Sequence, residues 1–132
     1  MKEFAAAEGK RAHRALASAR ELVGTDPDSS ASRAYYAAFH ALTAVFALRG
    51  RTFSKHSSVR AALHRELVLP GLLENGRGRD YDFLRDLRET GDYGGLDEVS
   101  SGGAVKATER AACFLEALTQ MYLELSGEAG DT

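Results

Sequence analysis

The sequence predicts an all-α protein, an antiparallel bundle of four to five helices, and three observations carry that expectation. Apolar residues recur at helical spacing in five segments, each bounded by Gly, Pro, Asp or Ser. Strand signals are absent, since no alternating β-branched run exceeds three residues. The 132 residues, 44% apolar and 27% charged, suit one globular domain with a proper core. Residues 1–126 read as that single bundle and 127–132 as a disordered tail.

Residues 2–23 read as the first helix. Phe4, Ala7, Ala12, Ala15, Leu16, Ala19 and Val23 fall near one stripe, with Lys10, Arg11, His13, Arg14 and Arg20 mostly off it. So many alanines allow close approach to a neighbour. Gly24 ends the helix, and residues 25–28 make a tight link between antiparallel partners.

The next helix, residues 29–49, organises the rest. Asp26, Pro27, Asp28 and Ser29 supply its cap chemistry, because short oxygen side chains accept the orphan amides of a first turn. No Gly or Pro interrupts it until Gly50, which stands where a C-terminal cap belongs. Tyr35, Phe39, Leu42, Val45 and Phe46 share one face; Arg33, Tyr36 and His40 share another. A helix so aromatic and so poor in charge is a central one.

A third helix spans about 57–68, burying Val59, Leu63 and Leu67, and Pro70-Gly71 ends it. Leu72 and Leu73 pack locally before a turn at Asn75-Gly76-Arg77-Gly78. Residues 80–90 form a fourth helix with Tyr81, Leu84, Leu87 and Arg88 at core spacing. Residues 91–103 read as a Gly/Ser/Asp-rich loop. Residues 104–125 make the last helix, its stripe being Val105, Ala111, Phe114, Leu115, Leu118, Met121, Tyr122 and Leu125. Cys113 reads as a small core residue.

Composition narrows the function classes. A net charge of −2 gives no global case for nucleic acid, so any such case is local. Residues 49–65 carry five Lys/Arg, two His and no acid, a segment able to hold a phosphate backbone or an acidic partner. Residues 89–98 carry four acids and no base. One cysteine permits no internal disulfide and fits a reducing, cytoplasmic location. No apolar run approaches the roughly 20 residues of a membrane span, so no membrane partner is expected. Glu3, Glu8 and the lack of an apolar stretch do not read as a signal peptide. The glycines of residues 94–103 lack a Lys-Ser/Thr ending and a preceding strand, so they form no Walker-type phosphate cradle. No Cys, His and carboxylate cluster has metal spacing, and neither metal nor cofactor is expected. Asp80, Asp82 and Asp86 read as capping and solvating a helix start.

Three stretches carry a family resemblance: residues 32–40 (Ser-Arg-Ala-Tyr-Tyr-Ala-Ala-Phe-His), residues 55–59 (Lys-His-Ser-Ser-Val) and residues 87–93 (Leu-Arg-Glu-Thr-Gly-Asp-Tyr). In this order they resemble the HEPN domain, most closely its small stand-alone prokaryotic branch, over roughly residues 2–125. The resemblance implies a helical bundle, a homodimer, and often a small nucleotidyltransferase antitoxin as partner. Many such domains are metal-independent ribonucleases acting as toxins; others lack the catalytic residues and bind partners or ligands.

The active branch needs an Arg and a His with four to six residues between them. Histidine moves the proton of a ribose 2′-hydroxyl or leaving oxygen, and arginine holds the phosphate as charge builds. By the resemblance the motif falls at Arg88 to Tyr93, where the spacing is kept but Tyr93 stands in the histidine's place. With a pKa of about 10, tyrosine is a poor base at neutral pH. Arg33/His40, Arg51/His56 and Arg49/His56 also fit the spacing. The candidate catalytic residues are thus Arg88, Tyr93, His40 and His56, and the candidate ligand or phosphate-binding residues Arg33, Tyr36, His40 and Arg51. Arg33, Tyr36 and His40 also read as a polar ladder, with Arg33 paired to an acid such as Asp92. Two functions stay open: a toxin-like module that binds a partner, RNA or a nucleotide, and a metal-independent endoribonuclease using an Arg/His pair.

Overall fold

The computed structural model describes residues 1–93 and 98–127, and of Tyr93 the backbone alone. Its helices are α1 (Lys2–Leu22), α2 (Pro27–Leu48), α3 (His56–Ala62), α4 (Asn75–Tyr93) and α5 (Ser101–Ser126), and a π-helical turn, Leu63–Val68, continues α3. No strand occurs among the described residues.

Helix α2 is the centre, packed against α1, α4 and α5. The Asp26 carboxylate accepts from the Ser29 amide at 3.2 Å and the Ser29 hydroxyl at 2.6 Å, so the cap read from the sequence is present. Tyr35, Leu42, Val45 and Phe46 of α2 are buried in one core with Leu16, Leu63, Leu67, Tyr81, Leu84, Phe114 and Leu118. Alanines from both helices, including Ala12, Ala15 and Ala19 of α1 and Ala34, Ala37 and Ala41 of α2, belong to the same core. Small side chains on both sides let the two axes come close.

Polar ties fix the register of the helices. The buried Ser30 hydroxyl donates to the Ala19 carbonyl at 2.6 Å, tying α2 to α1. Tyr81 donates to the Tyr35 hydroxyl at 3.4 Å between α4 and α2, and burial pushes both phenols above their ordinary range. The Val99 amide donates to Asp28 at 2.8 Å, so the start of α2 holds the segment entering α5.

Several boundaries and faces differ from the sequence expectation. Buried Ala5 and Glu8, not Phe4 and Ala7, complete the α1 stripe, because the period running back from Ala12 passes through them. Phe39 is only half-buried, at the core's edge. The expected turn at Asn75–Gly78 is the first turn of α4. Chain reversal has already happened at Gly71, whose φ is 84°, with the Leu73 amide donating to the Leu67 carbonyl at 2.9 Å. Gly78 lies so close to the π turn that a Cβ there would sit 3.0 Å from His64 Cε1. At its other end α4 runs to Tyr93, with Gly91 against the Asp28 carbonyl, where a Cβ would sit at 3.1 Å.

Ser100 caps α5 by accepting from the Gly103 amide at 2.9 Å, so the helix starts earlier than its glycines suggested. Val105 and Leu125 are exposed, and so is Cys113, which the α5 register turns away from the core. Leu73 is buried but Leu72 is exposed. Asp80 is buried between Arg77 of α4 and Arg110 of α5, at 2.9 and 3.2 Å. Asp82 accepts from Arg60 at 2.7 Å and lies 3.0 Å from His64 Nε2. Both carboxylates join helices rather than solvating a helix start; Asp86 alone stays exposed beside Arg85. Residues 94–97 of the loop expected over 91–103 and residues 128–132 of the tail expected over 127–132 lie outside the described residues.

Candidate functional site

The site grows from the second face of α2, where Tyr36 and His40 stand one turn apart. Arg88, brought in by α4, donates from Nη2 to the Tyr36 hydroxyl at 3.1 Å. Its Nε lies 3.1 Å from Asp92 Oδ2, and its guanidinium sits over Tyr35 and Tyr36 at 5.1 and 5.2 Å from the ring centroids. Carboxylate, phenol and two ring faces hold this arginine in place.

His56, the first residue of α3, places its ring against Phe39 with centroids 4.2 Å apart, and 6.1 Å from Tyr36. Partial burial, then the nearby charges of Arg88 and His40, hold its pKa below the ordinary 6.5. Its neutral form therefore dominates at pH 7, which leaves an imidazole able to accept a proton.

His40 is fixed from α1. Its Nδ1 lies 2.6 Å from Oε2 of Glu8, a carboxylate only 5% exposed, whose Oε1 meets Arg11 at 2.5 Å. A carboxylate only accepts, so Nδ1 carries the hydrogen and Nε2 is left for a ligand. Beside this pair, Arg11 and Arg14 of α1 and Arg33, Tyr36 and His40 of α2 line a cleft of about 440 Å³. Arg14 and Arg33 are exposed, and neither has a carboxylate within ion-pair distance among the described residues. Two exposed guanidinium groups with no carboxylate in ion-pair range among the described residues put positive charge beside this cleft.

The structure thus brings Arg88, Tyr36, His40 and His56 into one cluster, with Arg33 at its edge. Arg51 is not part of it. Its guanidinium pairs with Glu66 at 2.5 Å and stacks 5.0 Å over Phe53, so the arginine of the Arg51/His56 spacing pair is already engaged. Arg33 shares a second hollow with Asp92, but Asp92 pairs with Arg88, so the expected Arg33–Asp92 ladder is replaced by Arg88–Asp92 and Glu8–His40. The Tyr93 side chain lies outside the described residues. Sequence reasoning missed Glu8, Arg11 and Arg14. The available signal was a carboxylate in register with the buried alanines Ala5, Ala12 and Ala15, followed by arginines three residues apart. Among the described residues no group of three or more His, Cys, Asp or Glu could hold a metal ion.

An alanine-rich bundle whose central helix carries an arginine–tyrosine–histidine cluster beside a basic cleft defines a class of helical modules built around one polar face. The chain belongs to the HEPN domain family: the family's model matches residues 9–122. It is also similar to a UPF0332 protein of Thermotoga maritima, 34% identical over 117 residues that span 88% of this chain and 89% of that protein.

Proposed function

We propose that this HEPN protein is a binding module that takes a phosphate-bearing ligand, a nucleotide or an RNA segment, in the α1–α2 cleft. Its setting is that of the toxin-like member of a toxin–antitoxin pair with a nucleotidyltransferase, acting as a homodimer; this context rests on the family resemblance. The observation that carries the ligand reading is the convergence of Arg14 and Arg33, both without a carboxylate partner among the described residues, with His40 and Tyr36 on one cleft. Arg88 supports binding over catalysis, because its guanidinium is already engaged by Asp92 and the Tyr36 hydroxyl.

The test is fluorescence anisotropy with a labelled single-stranded RNA and competition by adenosine monophosphate and inorganic phosphate. Arg14→Ala and Arg33→Ala each weaken RNA binding roughly tenfold or more, as expected for loss of a charge-assisted contact of about 1.5–3 kcal/mol. Unchanged affinity in both variants overturns the reading. A second reading, metal-independent RNA cleavage, is favoured by one observation: the neutral imidazole of His56 near the Arg88 charge. Cleavage in the presence of a chelator, abolished by His56→Ala or His40→Ala and by Arg88→Ala, would establish it.

A further inference from the structure

Next to that cleft along α1, and sharing Arg14 with it, α1, α2 and α5 enclose an open groove of about 560 Å³. It is lined by Ala6, Tyr122 and Leu123 over the buried Ala12, Ala41 and Ala44; its basic lining residues are Lys10, His13 and Arg14, and no carboxylate lines it among the described residues. Gly9 also lines it. Inside a helix glycine is less favourable than alanine, so packing within the chain usually explains one. Here packing does not: a Cβ on Gly9 would meet nothing within 4 Å. Gly78, by contrast, is pressed against His64. The space over Gly9 is free for the backbone of something else.

We infer that this groove docks an amphipathic helix of a partner protein whose apolar edge is flanked by Asp and Glu. The small residues of the floor and the bare backbone at Gly9 admit a helix at short axial distance, as small-residue contacts do elsewhere. The basic rim selects acidic flanks. A second copy of this chain is a poorer occupant. A two-fold contact sets the patch against the same patch, which offers no carboxylate among the described residues to meet Lys10, His13 and Arg14.

The probes are two 14-residue helical peptides with one leucine/alanine face, one flanked by glutamates and the other by lysines at the same positions; their affinities are read by anisotropy on the full chain. The glutamate peptide binds at least tenfold tighter than the lysine peptide. Lys10→Glu closes that gap, and Gly9→Leu weakens the glutamate peptide tenfold or more. Gly9→Leu melts no lower than wild type, because its side chain enters open space, so loss of binding cannot be charged to unfolding. Gly9 does not line the phosphate cleft, so anion binding survives in Gly9→Leu whatever the peptides do. Equal affinity for the two peptides, no binding of either, or full binding by Gly9→Leu overturns the proposal. A dimer in sedimentation that Gly9→Leu dissociates would assign the groove to a second copy and overturn it equally.

Discussion

At the scale of single residues, the chemistry of this face is set by what surrounds each imidazole. His40 is held by a buried carboxylate and His56 by an aromatic ring beside a guanidinium. For His56 the consequence is a sign. Its folded pKa lies below 6.5, so as pH falls the unfolded chain takes up a proton at this residue before the folded one does. Stability present above about 6.5 is therefore lost as pH drops towards the lower folded value. Thermal melts at pH 7.5 and 5.5 check this: the midpoint of wild type falls more between the two than that of His56→Gln. Parallel pH dependence in the two proteins would refute it. His56 was legible in the sequence as a candidate, through its place in Lys55-His56-Ser57, but its surroundings were not, since Phe39 and Arg88 reach it from two other helices. Glu8 was illegible for a related reason. A lone glutamate in an alanine-rich helix looks solvated until its partner, 32 positions away, is placed.

At the scale of elements, periodicity identified every helix and misplaced its ends where glycine lies inside a helix. Turn statistics read Asn75-Gly76-Arg77-Gly78 as a break, because isolated glycines usually mark one. Tertiary packing overrides that preference, since a Cβ at Gly78 would sit 3.0 Å from His64 and 3.2 Å from Val68 of the π turn. The π turn has its own role in the contact: it presents His64 to Asp82, whose carboxylate burial would raise but hydrogen bonds from Arg60 and His64 hold below the usual range. Replacing an interior helical glycine with alanine normally stabilises by about 0.5–1 kcal/mol. Gly78→Ala should do the opposite. The new methyl would press on His64 and push it by a few tenths of an ångström against its 3.0 Å contact with Asp82. Loss of that charge-assisted bond, about 1.5–3 kcal/mol, outweighs the helical gain of about 0.5–1 kcal/mol, leaving a net loss of about 0.5–2.5 kcal/mol. A melting midpoint a few degrees lower is expected. A midpoint at or above wild type would show that His64 moves freely.

At the scale of the whole molecule, the net charge of −2 argues against a general affinity for nucleic acid, so binding depends on how few cations are gathered in one place. The sequence pointed to residues 49–65 as the basic segment, but there Arg51 is taken up by Glu66 and Arg60 by Asp82. Among the described residues Arg49 and Lys55 of that segment have no carboxylate in ion-pair range, and neither do Arg14 and Arg33, but Arg14 and Arg33 are the two that line one cleft together, beside Arg11. No helix among the described residues is long and apolar enough to cross a membrane. A site made of two or three guanidinium groups has a measurable electrostatic signature. For single-stranded RNA each neutralised phosphate contributes about −0.7 to the slope of log affinity against log salt, so the wild-type slope between 50 and 200 mM should lie near −1.4 to −2. Arg33→Ala should reduce its magnitude by about 0.7, and Arg51→Ala should leave it unchanged because that guanidinium already has its carboxylate. A slope that falls in Arg51→Ala and not in Arg33→Ala would move the anion site from the α1–α2 cleft to the segment after α2.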